Sequence, residues 1–162
     1  LCHAQVGAEK AYHFLLDHDF SENFAAHVRD CVRTHRFRSG DPPATIEARI
    51  LFDADKLDVT GAIGMARTFF YAARAGQPLY TLLPDGTVSD GTAEEPRGCH
   101  SVLREYRFKL EKIYDRFLTP RGAEMARRRQ AAMVSIYESI LAEAREPYET
   151  GGSILRRCIE ST

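Results

Sequence analysis

The chain has 162 residues, of which 44% are hydrophobic and 28% are charged, and its formal net charge is −1. This composition is typical of one globular domain with a single core, and the near-neutral charge does not favour binding to nucleic acid or to an acidic membrane. No apolar run approaches the roughly 20 residues of a membrane-spanning helix. Four scattered cysteines without a C-x-x-C pair indicate reduced thiols, and we therefore expect a cytoplasmic protein.

The first two helices are predicted over residues 3–17 and 22–36, where apolar residues recur at helical spacing. Phe24 and Cys31 lie on the predicted buried face of the second helix, and His35 continues that face. The residues alone leave two interpretations of His35 open. It is either a core histidine bonded to a backbone carbonyl or a histidine that faces a shared site.

The turn before the second helix contains a His-Asp pair, His18 and Asp19. Asp19 and Ser21 are both residue types that cap helix N-termini, and Asp19 is the predicted cap because Glu22 stands three residues further on. His18 is then an exposed residue of the turn. Thr45 is the predicted N-cap of the third helix.

The central segment, residues 46–71, has the sequence IEARILFDADKLDVTGAIGMARTFFY. Ile46 and Ile50 recur at helical spacing and are predicted to face the core. The helix is predicted to break at residues 59–61, where β-branched residues and glycine weaken it. The aromatic residues 69–71 are predicted to be buried.

Three carboxylates, Asp53, Asp55 and Asp58, crowd into the central segment. Carboxylates that are held together near a core repel one another, and burying them without a partner is costly. A bound cation would remove both costs, and Lys56, Arg67 or a helix N-terminus could have the same effect. The residues alone do not choose between a metal ion and these side chains.

The C-terminal part is predicted to begin with a long loop over residues 76–98, which is typical of a lid, a binding loop or a disordered segment. Within it, residues 82–88 have the pattern of a short hairpin. Helices are predicted over residues 99–117 and from residue 119 to about residue 144, as a C-terminal helical pair within residues 99–147. The long helices are also the predicted contact of a homodimer.

The run DADKLDVTGAIGMARTF, residues 53–69, resembles the last metal-ligand motif of HD-domain phosphohydrolases. More narrowly, it resembles the bacterial hydrolase branch in which a DADkLD run leads into GAIGxAR. The resemblance extends over nearly the whole chain, more weakly after residue 76. It implies a single all-α domain over residues 1–162, an HD-domain-like helical bundle.

In that family a His, a His-Asp doublet and a later Asp bind the metal, and the last Asp matches Asp55. Two further family histidines match His3 and His35. Asp55, His3 and His35 are therefore the implied ligands of a divalent metal ion. The donor types do not determine the identity of the metal, and Mn, Mg, Co, Ni, Zn and Fe are all compatible with them. The family doublet lies on a helix and precedes the residue that matches His3, so the pair His18-Asp19 is not its counterpart. The chain then corresponds to the C-terminal two thirds of such a protein.

The resemblance implies a metal-dependent phosphohydrolase, in which metal-activated water cleaves a phosphate ester or a nucleotide phosphoanhydride. The substrate would be a small phosphorylated molecule, with nucleotides among the candidates. The implied catalytic residues are His35, His3 and Arg67, because imidazoles move protons and a guanidinium matches phosphate oxygens. Lys56 and Lys109 are the implied contacts that offset the charge of the phosphate.

Two other classes of function are open. HD-like folds also serve as catalytically degenerate modules with a binding or regulatory role. An intact set of His and His-Asp ligands upstream would indicate an enzyme, and an altered set would indicate such a module. In a purely structural bundle, the carboxylates Asp53, Asp55 and Asp58 would be held by ion pairs, and no metal would bind.

Overall fold

A computed structural model describes residues 3–36, 42–94 and 100–160 of the chain. In these ranges the fold is all-α, as predicted, and the only strand-like feature is an isolated antiparallel bridge between Leu82 and Val88. No helix in the described ranges has the length and apolar character that spanning a membrane requires. The α-helices of the described residues are α1 (His3–Asp17), α2 (Glu22–Thr34), α3 (Ile46–Leu57), α4 (Gly61–Arg74), α5 (Val102–Glu105) and α6 (Pro120–Glu160).

Contacts between residues divide the chain into two compact units. The first unit consists of Leu1–Asp58 and Arg116–Met125, and the second consists of Val59–Asp115 and Ala126–Thr162. Helices α1, α2 and α3 therefore belong to the first unit, and α4 and α5 to the second. Helix α6 begins in the first unit and continues in the second.

The predicted break in the central segment is confirmed between α3 and α4. Gly61, the first residue of α4, has a φ of +67°, a left-handed conformation that glycine adopts without strain. A β-carbon at this position would also lie 2.9 Å from the β-carbon of Arg129. Both the backbone conformation and the close approach of α6 therefore require glycine here.

The start of α2 differs from its prediction. Ser21, not Asp19, is the N-cap, and its hydroxyl accepts a hydrogen bond from the backbone N–H of Phe24 at 3.4 Å. Asp19 has a left-handed backbone with a φ of +62°, which aspartate tolerates in turns. His18 is exposed, as predicted. Its Nδ1 donates to the carbonyl oxygen of Phe14 at 2.8 Å, and its ring stacks on the Phe14 ring.

The buried face of α3 is rotated from the predicted one, and that of α2 departs from its prediction at Phe24. Cys31 is buried, but Phe24 is 47% exposed. Helix α3 begins after its predicted cap, Thr45, yet Ile46 and Ile50 are 57% and 55% exposed, so their predicted burial is wrong. The residues that α3 buries instead are Ala48, Phe52, Asp53 and Lys56.

The predicted helix over residues 99–117 is divided into three pieces within the described residues. Helix α5 is followed by a π-helical turn, Tyr106–Leu110, and then by a 3₁₀ helix, Ile113–Arg116. The spacing of its inward-facing residues is nevertheless as predicted, because Leu103, Tyr106, Leu110 and Ile113 are all buried. The periodicity therefore found the buried face but not the change in helix type.

Helix α6 starts where it was predicted to start. The hydroxyl of Thr119 accepts a hydrogen bond from the backbone N–H of Gly122 at 3.0 Å, which satisfies one of the free N–H groups of the first turn. The helix continues through Pro147 to Glu160, further than its predicted end near residue 144.

The core of the second unit surrounds a pair of stacked tyrosines. The ring centroids of Tyr106 and Tyr137 are 4.1 Å apart, and burial raises the pKa of Tyr106 to about 12. On α4, Phe69 packs partly against this core, but Phe70 and Tyr71 are 74% and 70% exposed, so the predicted burial of these two residues is wrong. The buried cluster consists of Met65, Ala72, Val102, Leu103, Tyr106, Leu110, Met133 and Tyr137.

The predicted loop over residues 76–98 is described as far as residue 94, and in that part it is anchored to the second unit. Val88 is 2% exposed, and the hydroxyl of Tyr137 donates to the carbonyl oxygen of Asp90 at 2.7 Å. The bridged residues form the predicted short hairpin, with Gly86 at its turn in a left-handed conformation of φ +83°.

Gly91 offers a test of how closely this loop packs. Its φ is +87°, and a β-carbon would lie 2.5 Å from the carbonyl oxygen of Leu103. Gly91→Ala is expected to lower the free energy of unfolding by about 3 kcal/mol or more, because a steric clash adds to the backbone strain. Gly86→Ala is the matched control, since its φ is also positive but nothing lies within 4 Å, and it should cost only about 1 kcal/mol. Urea denaturation followed by circular dichroism measures both, and equal losses would contradict the close packing.

Candidate metal centre

Two of the predicted ligands, His3 and His35, lie close together in the first unit. His3 is the first residue of α1, and His35 is the C-cap of α2. Their ring centroids are 5.9 Å apart, and the ring planes are tilted by 53°. The packing of α1 on α2 therefore brings together two imidazoles that are far apart in the sequence.

One hydrogen bond fixes the orientation of the His35 ring. Its Nδ1 is bonded to the carbonyl oxygen of Val32. Because a carbonyl only accepts, Nδ1 carries a proton, and in the neutral ring Nε2 keeps its lone pair. A histidine whose Nδ1 is held by a carbonyl in this way is prepared to bind a metal or a proton through Nε2. The bond of His35 to a backbone carbonyl, which one interpretation of the sequence expected, is therefore found, and its place in a shared site stays a prediction.

Asp55, the predicted ligand on α3, has a side chain that is 52% exposed. Its Oδ2 accepts a hydrogen bond from the ammonium of Lys56 at 2.7 Å. The same ammonium donates to the carbonyl oxygen of His35 at 3.2 Å. Lys56 therefore joins the Asp55 carboxylate to the residue that carries the second predicted imidazole.

Asp53 has an entirely different environment from Asp55. It is 3% exposed, and its Oδ1 accepts from the backbone N–H of Leu118 at 2.8 Å. Its Oδ2 accepts from the backbone N–H of Thr119 at 2.8 Å and from the Thr119 hydroxyl at 2.6 Å. A β-carbon on Gly122 would lie 2.4 Å from Oδ2, so the first turn of α6 closes over the carboxylate. Asp53 is therefore an anchor for α6, and its partner is a helix N-terminus, one of the alternatives that the sequence left open.

Asp58 completes the set of three carboxylates. It is the C-cap of α3, its backbone N–H donates to the carbonyl oxygen of Lys56, and it is exposed. The buried Asp53, the half-exposed Asp55 and the exposed Asp58 thus stand in three different environments. The three carboxylates are close together in the sequence, but they differ in burial and in their hydrogen-bond partners.

Arg67 and Lys109 belong to the second unit. Arg67 is exposed on α4, and Lys109 lies in the π-helical turn. The ammonium of Lys109 donates to Oε1 of Glu105 at 2.8 Å, and Nε2 of His100 donates to the other oxygen of Glu105 at 2.8 Å. Lys109 is therefore half of an ion pair on its own helix, and its contact with a phosphate stays a prediction, as does that of Arg67.

The donor types of the first unit fit a divalent metal, because imidazole and carboxylate are common ligands of such ions. Within residues 3–36, 42–94 and 100–160, however, no three His, Cys, Asp or Glu side chains are grouped closely enough to hold a metal ion. His3, His35 and Asp55 can therefore supply only part of a coordination sphere.

A surface groove of about 570 Å³ runs along α1 in the first unit, beside Val6, His13 and Phe14. None of the predicted ligands lines it. Because one helix supplies all of its lining residues, we do not assign the candidate site to this groove.

Comparison with known proteins identifies the class of fold. No protein-family model matches the chain. A solved hydrolase of the HD superfamily from Bacillus thuringiensis is 28% identical to it and superposes with a TM-score of 0.61, over 85% of this chain and 62% of the hydrolase. The chain therefore has an all-α, HD-domain-like helical fold, as predicted.

YpgQ from Bacillus subtilis is also similar. One of its crystal structures is 25% identical, with a TM-score of 0.66, over 84% of this chain and 63% of YpgQ. A second, in complex with ADP, is 24% identical, with a TM-score of 0.65, over 84% of this chain and 61% of YpgQ. The sequence alignment with YpgQ covers 38 residues, which are 24% of this chain and 18% of YpgQ, and the aligned residues are 47% identical. The chain thus spans between 61% and 63% of these solved structures.

The three hydrogen bonds to Asp53 predict that its charge stabilises the fold. Asp53→Asn replaces one accepting oxygen by an N–H₂ group that faces N–H donors, and we expect it to lower the free energy of unfolding by about 2 kcal/mol or more. Asp17→Asn, at the exposed end of α1, is the control and should change stability by less than about 0.5 kcal/mol. Thermal or urea denaturation measures both. A wild-type stability for Asp53→Asn would rule out the anchoring role.

The pair formed by Glu105 and Lys109 predicts a dependence on pH. Burial acts to raise the pKa of Glu105, but hydrogen bonds and positive charge from Lys109 and His100 together hold this pKa below its ordinary value of 4.5. The unfolded chain therefore takes up this proton first as the pH falls. The stabilisation of the fold by the Glu105 carboxylate is complete above pH 4.5 and is lost as the pH falls through the lower pKa that Glu105 has in the folded state.

Glu105→Gln should therefore lose less stability than the wild type when the pH falls below 4.5. Glu138→Gln, an exposed residue of α6, should follow the wild type. The measurement is the free energy of unfolding against pH for the three proteins. Parallel curves for Glu105→Gln and the wild type would show that the carboxylate has no such role.

Proposed function

We propose that the chain is part of a metal-dependent phosphohydrolase, which cleaves a phosphate ester or a nucleotide phosphoanhydride. The observation that carries this proposal is the close approach of the His3 and His35 rings in the first unit, where Lys56 links the backbone of His35 to the Asp55 carboxylate. The 28% identity to a solved HD-superfamily hydrolase supports the same class of reaction. Because the chain covers 62% of that hydrolase, other residues would complete the site.

In this proposal Asp55 and the ring nitrogens of His35 and His3 are metal ligands. A divalent ion held there would polarise a phosphoryl oxygen and lower the pKa of a bound water molecule. The half-exposed carboxylate of Asp55 is accessible to such an ion. Nε2 of His35 is the ring nitrogen through which that residue would bind it or take up a proton, because Nδ1 is held by Val32.

The other predicted residues would act on the substrate. The guanidinium of Arg67 can donate two parallel hydrogen bonds to phosphate oxygens. Lys109 would offset negative charge, and because an ammonium has three N–H groups, it can do so while one of them stays bonded to Glu105. These roles account for a phosphorylated substrate without specifying the group that carries the phosphate.

A nucleotide is our preferred class of substrate. The support is that YpgQ, whose structure resembles this chain with a TM-score of 0.65, was crystallised with ADP. The predicted contacts of Arg67 and Lys109 concern the phosphate alone and do not distinguish a nucleotide from another phosphate ester, so this preference rests on the similarity to YpgQ and not on the candidate site.

One observation favours a second function. Asp55 already has a cationic partner in Lys56, so its charge is compensated without a metal. A catalytically degenerate HD-like module, with a binding or regulatory role, would keep this ion pair and bind a phosphorylated ligand without cleaving it.

Asp55→Ala separates these functions in the natural protein, with any residues that precede Leu1 included. We expect the variant to lose its bound metal and to release phosphate at least about 100-fold more slowly than the wild type, because a ligand carboxylate has been removed. Elemental analysis measures the metal, and phosphate release is followed with p-nitrophenyl phosphate and with nucleoside diphosphates and triphosphates.

His18→Ala is the matched control, because His18 is an exposed turn residue whose ring bonds to the Phe14 carbonyl oxygen and stacks on the Phe14 ring. It should retain metal and turnover. Equal metal content and turnover in Asp55→Ala and the wild type would refute the proposed site. Nucleotide binding without turnover or metal in the wild type would favour the binding module.

A further inference from the structure

Lys56 is buried beside the predicted ligands. Its side chain is 7% exposed, whereas that of Asp55 is 52% exposed. The ammonium has two oxygen partners, Oδ2 of Asp55 at 2.7 Å and the carbonyl oxygen of His35 at 3.2 Å. It also lies 4.3 Å from the centre of the Phe52 ring. These contacts compensate a charge that burial would otherwise leave without a partner.

The contact between Asp55 and Lys56 is not an ordinary ion pair of a helix surface. Successive side chains on an α-helix point about 100° apart, and surface pairs join residues that are three or four apart. Phe52 and Lys56 are four apart and share the buried face of α3. The ring therefore holds the ammonium on that face, and the flexible lysine side chain turns from there toward the carboxylate.

The second hydrogen bond of Lys56 reaches the end of α2. His35 is the C-cap of α2, and carbonyl groups at a helix C-terminus lack a partner within the helix. A cation at this end is also favoured by the helix dipole. One buried ammonium therefore joins the Asp55 side chain to the backbone of His35.

We propose that Lys56 is a positioning residue, whose ammonium fixes the Asp55 carboxylate relative to the end of α2 at His35. The inference rests on the proposed function, in which Asp55 and His35 are ligands. Metal-binding carboxylates are commonly held by a hydrogen bond from outside the coordination sphere, and a bond to Oδ2 leaves Oδ1 for the metal. The phosphate contact predicted for Lys56 from the sequence would have to use the third N–H of an ammonium whose side chain is only 7% exposed.

Three variants of the natural protein test this role. Lys56→Met keeps the length and the apolar stem of the side chain, and Lys56→Arg keeps a charge that can donate to two oxygens. Lys10→Met removes an exposed lysine of α1 and is the matched control. Circular dichroism gives the folded fraction of each variant, so that unfolding is not counted as weak binding.

Titration calorimetry with Mn²⁺ gives the first measurement. Lys56→Met is expected to bind Mn²⁺ about 10- to 100-fold more weakly than the wild type. Lys56→Arg should recover most of the affinity, and Lys10→Met should match the wild type. An unchanged affinity in Lys56→Met overturns the inference. A tighter affinity also overturns it, because Lys56 would then compete with the metal for Asp55.

A second measurement needs no metal. In the metal-free protein, NMR compares the carboxylate ¹³C signal of Asp55 and the ring ¹⁵N signals of His35. Lys56→Met should shift both, and Lys10→Met should shift neither. If Lys56→Met leaves both signals in place, the positioning role is wrong whatever the metal result. If the wild type binds no Mn²⁺ but the signals shift, the proposed function fails while the arrangement around Lys56 stands.

Discussion

Two charged side chains of α3 point into the first unit, and their partners fix the rotation of this helix. Asp53 binds two backbone N–H groups at the start of α6, and Lys56 binds the end of α2 at His35. An unpaired charge in either position would cost several kcal/mol, so the helix can face the core only in the orientation that provides both partners. As a consequence, Ile46 and Ile50 are left at the surface.

The same rotation gives Asp55 its exposure. At about 100° per residue, Asp53 and Lys56 lie within about 60° of each other around the helix, whereas Asp55 lies on a different side. The carboxylate is therefore accessible, although its neighbour in the sequence is buried. The meeting of His3 with His35 was expected only from the family resemblance. An ion pair of the carboxylates with Lys56 was one of the alternatives open from the sequence, but the second bond of Lys56, to the end of α2 at His35, was not expected.

The sequence predicted the parts of the fold that local chemistry determines. Thr45 and Thr119 are found as N-caps because capping needs only a side-chain oxygen and the N–H groups that follow it. The rotation of α3 was not predictable in this way, because the partners of Asp53 follow it by 65 and 66 residues. Phe70 and Tyr71 were misplaced because an aromatic run does not itself show which of its members face the core. On α4 the buried positions are Gly61, Gly64, Met65 and Ala72.

We propose that Asp55 is a metal ligand supported by a buried lysine. X-ray diffraction from crystals of the natural protein grown with Mn²⁺, recorded where manganese scatters anomalously, tests this role. We expect an anomalous peak at bonding distance from an Asp55 oxygen, with Lys56 still bonded to the carboxylate. A structure in which Mn²⁺ binds elsewhere, or in which Asp55 has no partner except Lys56, would contradict it.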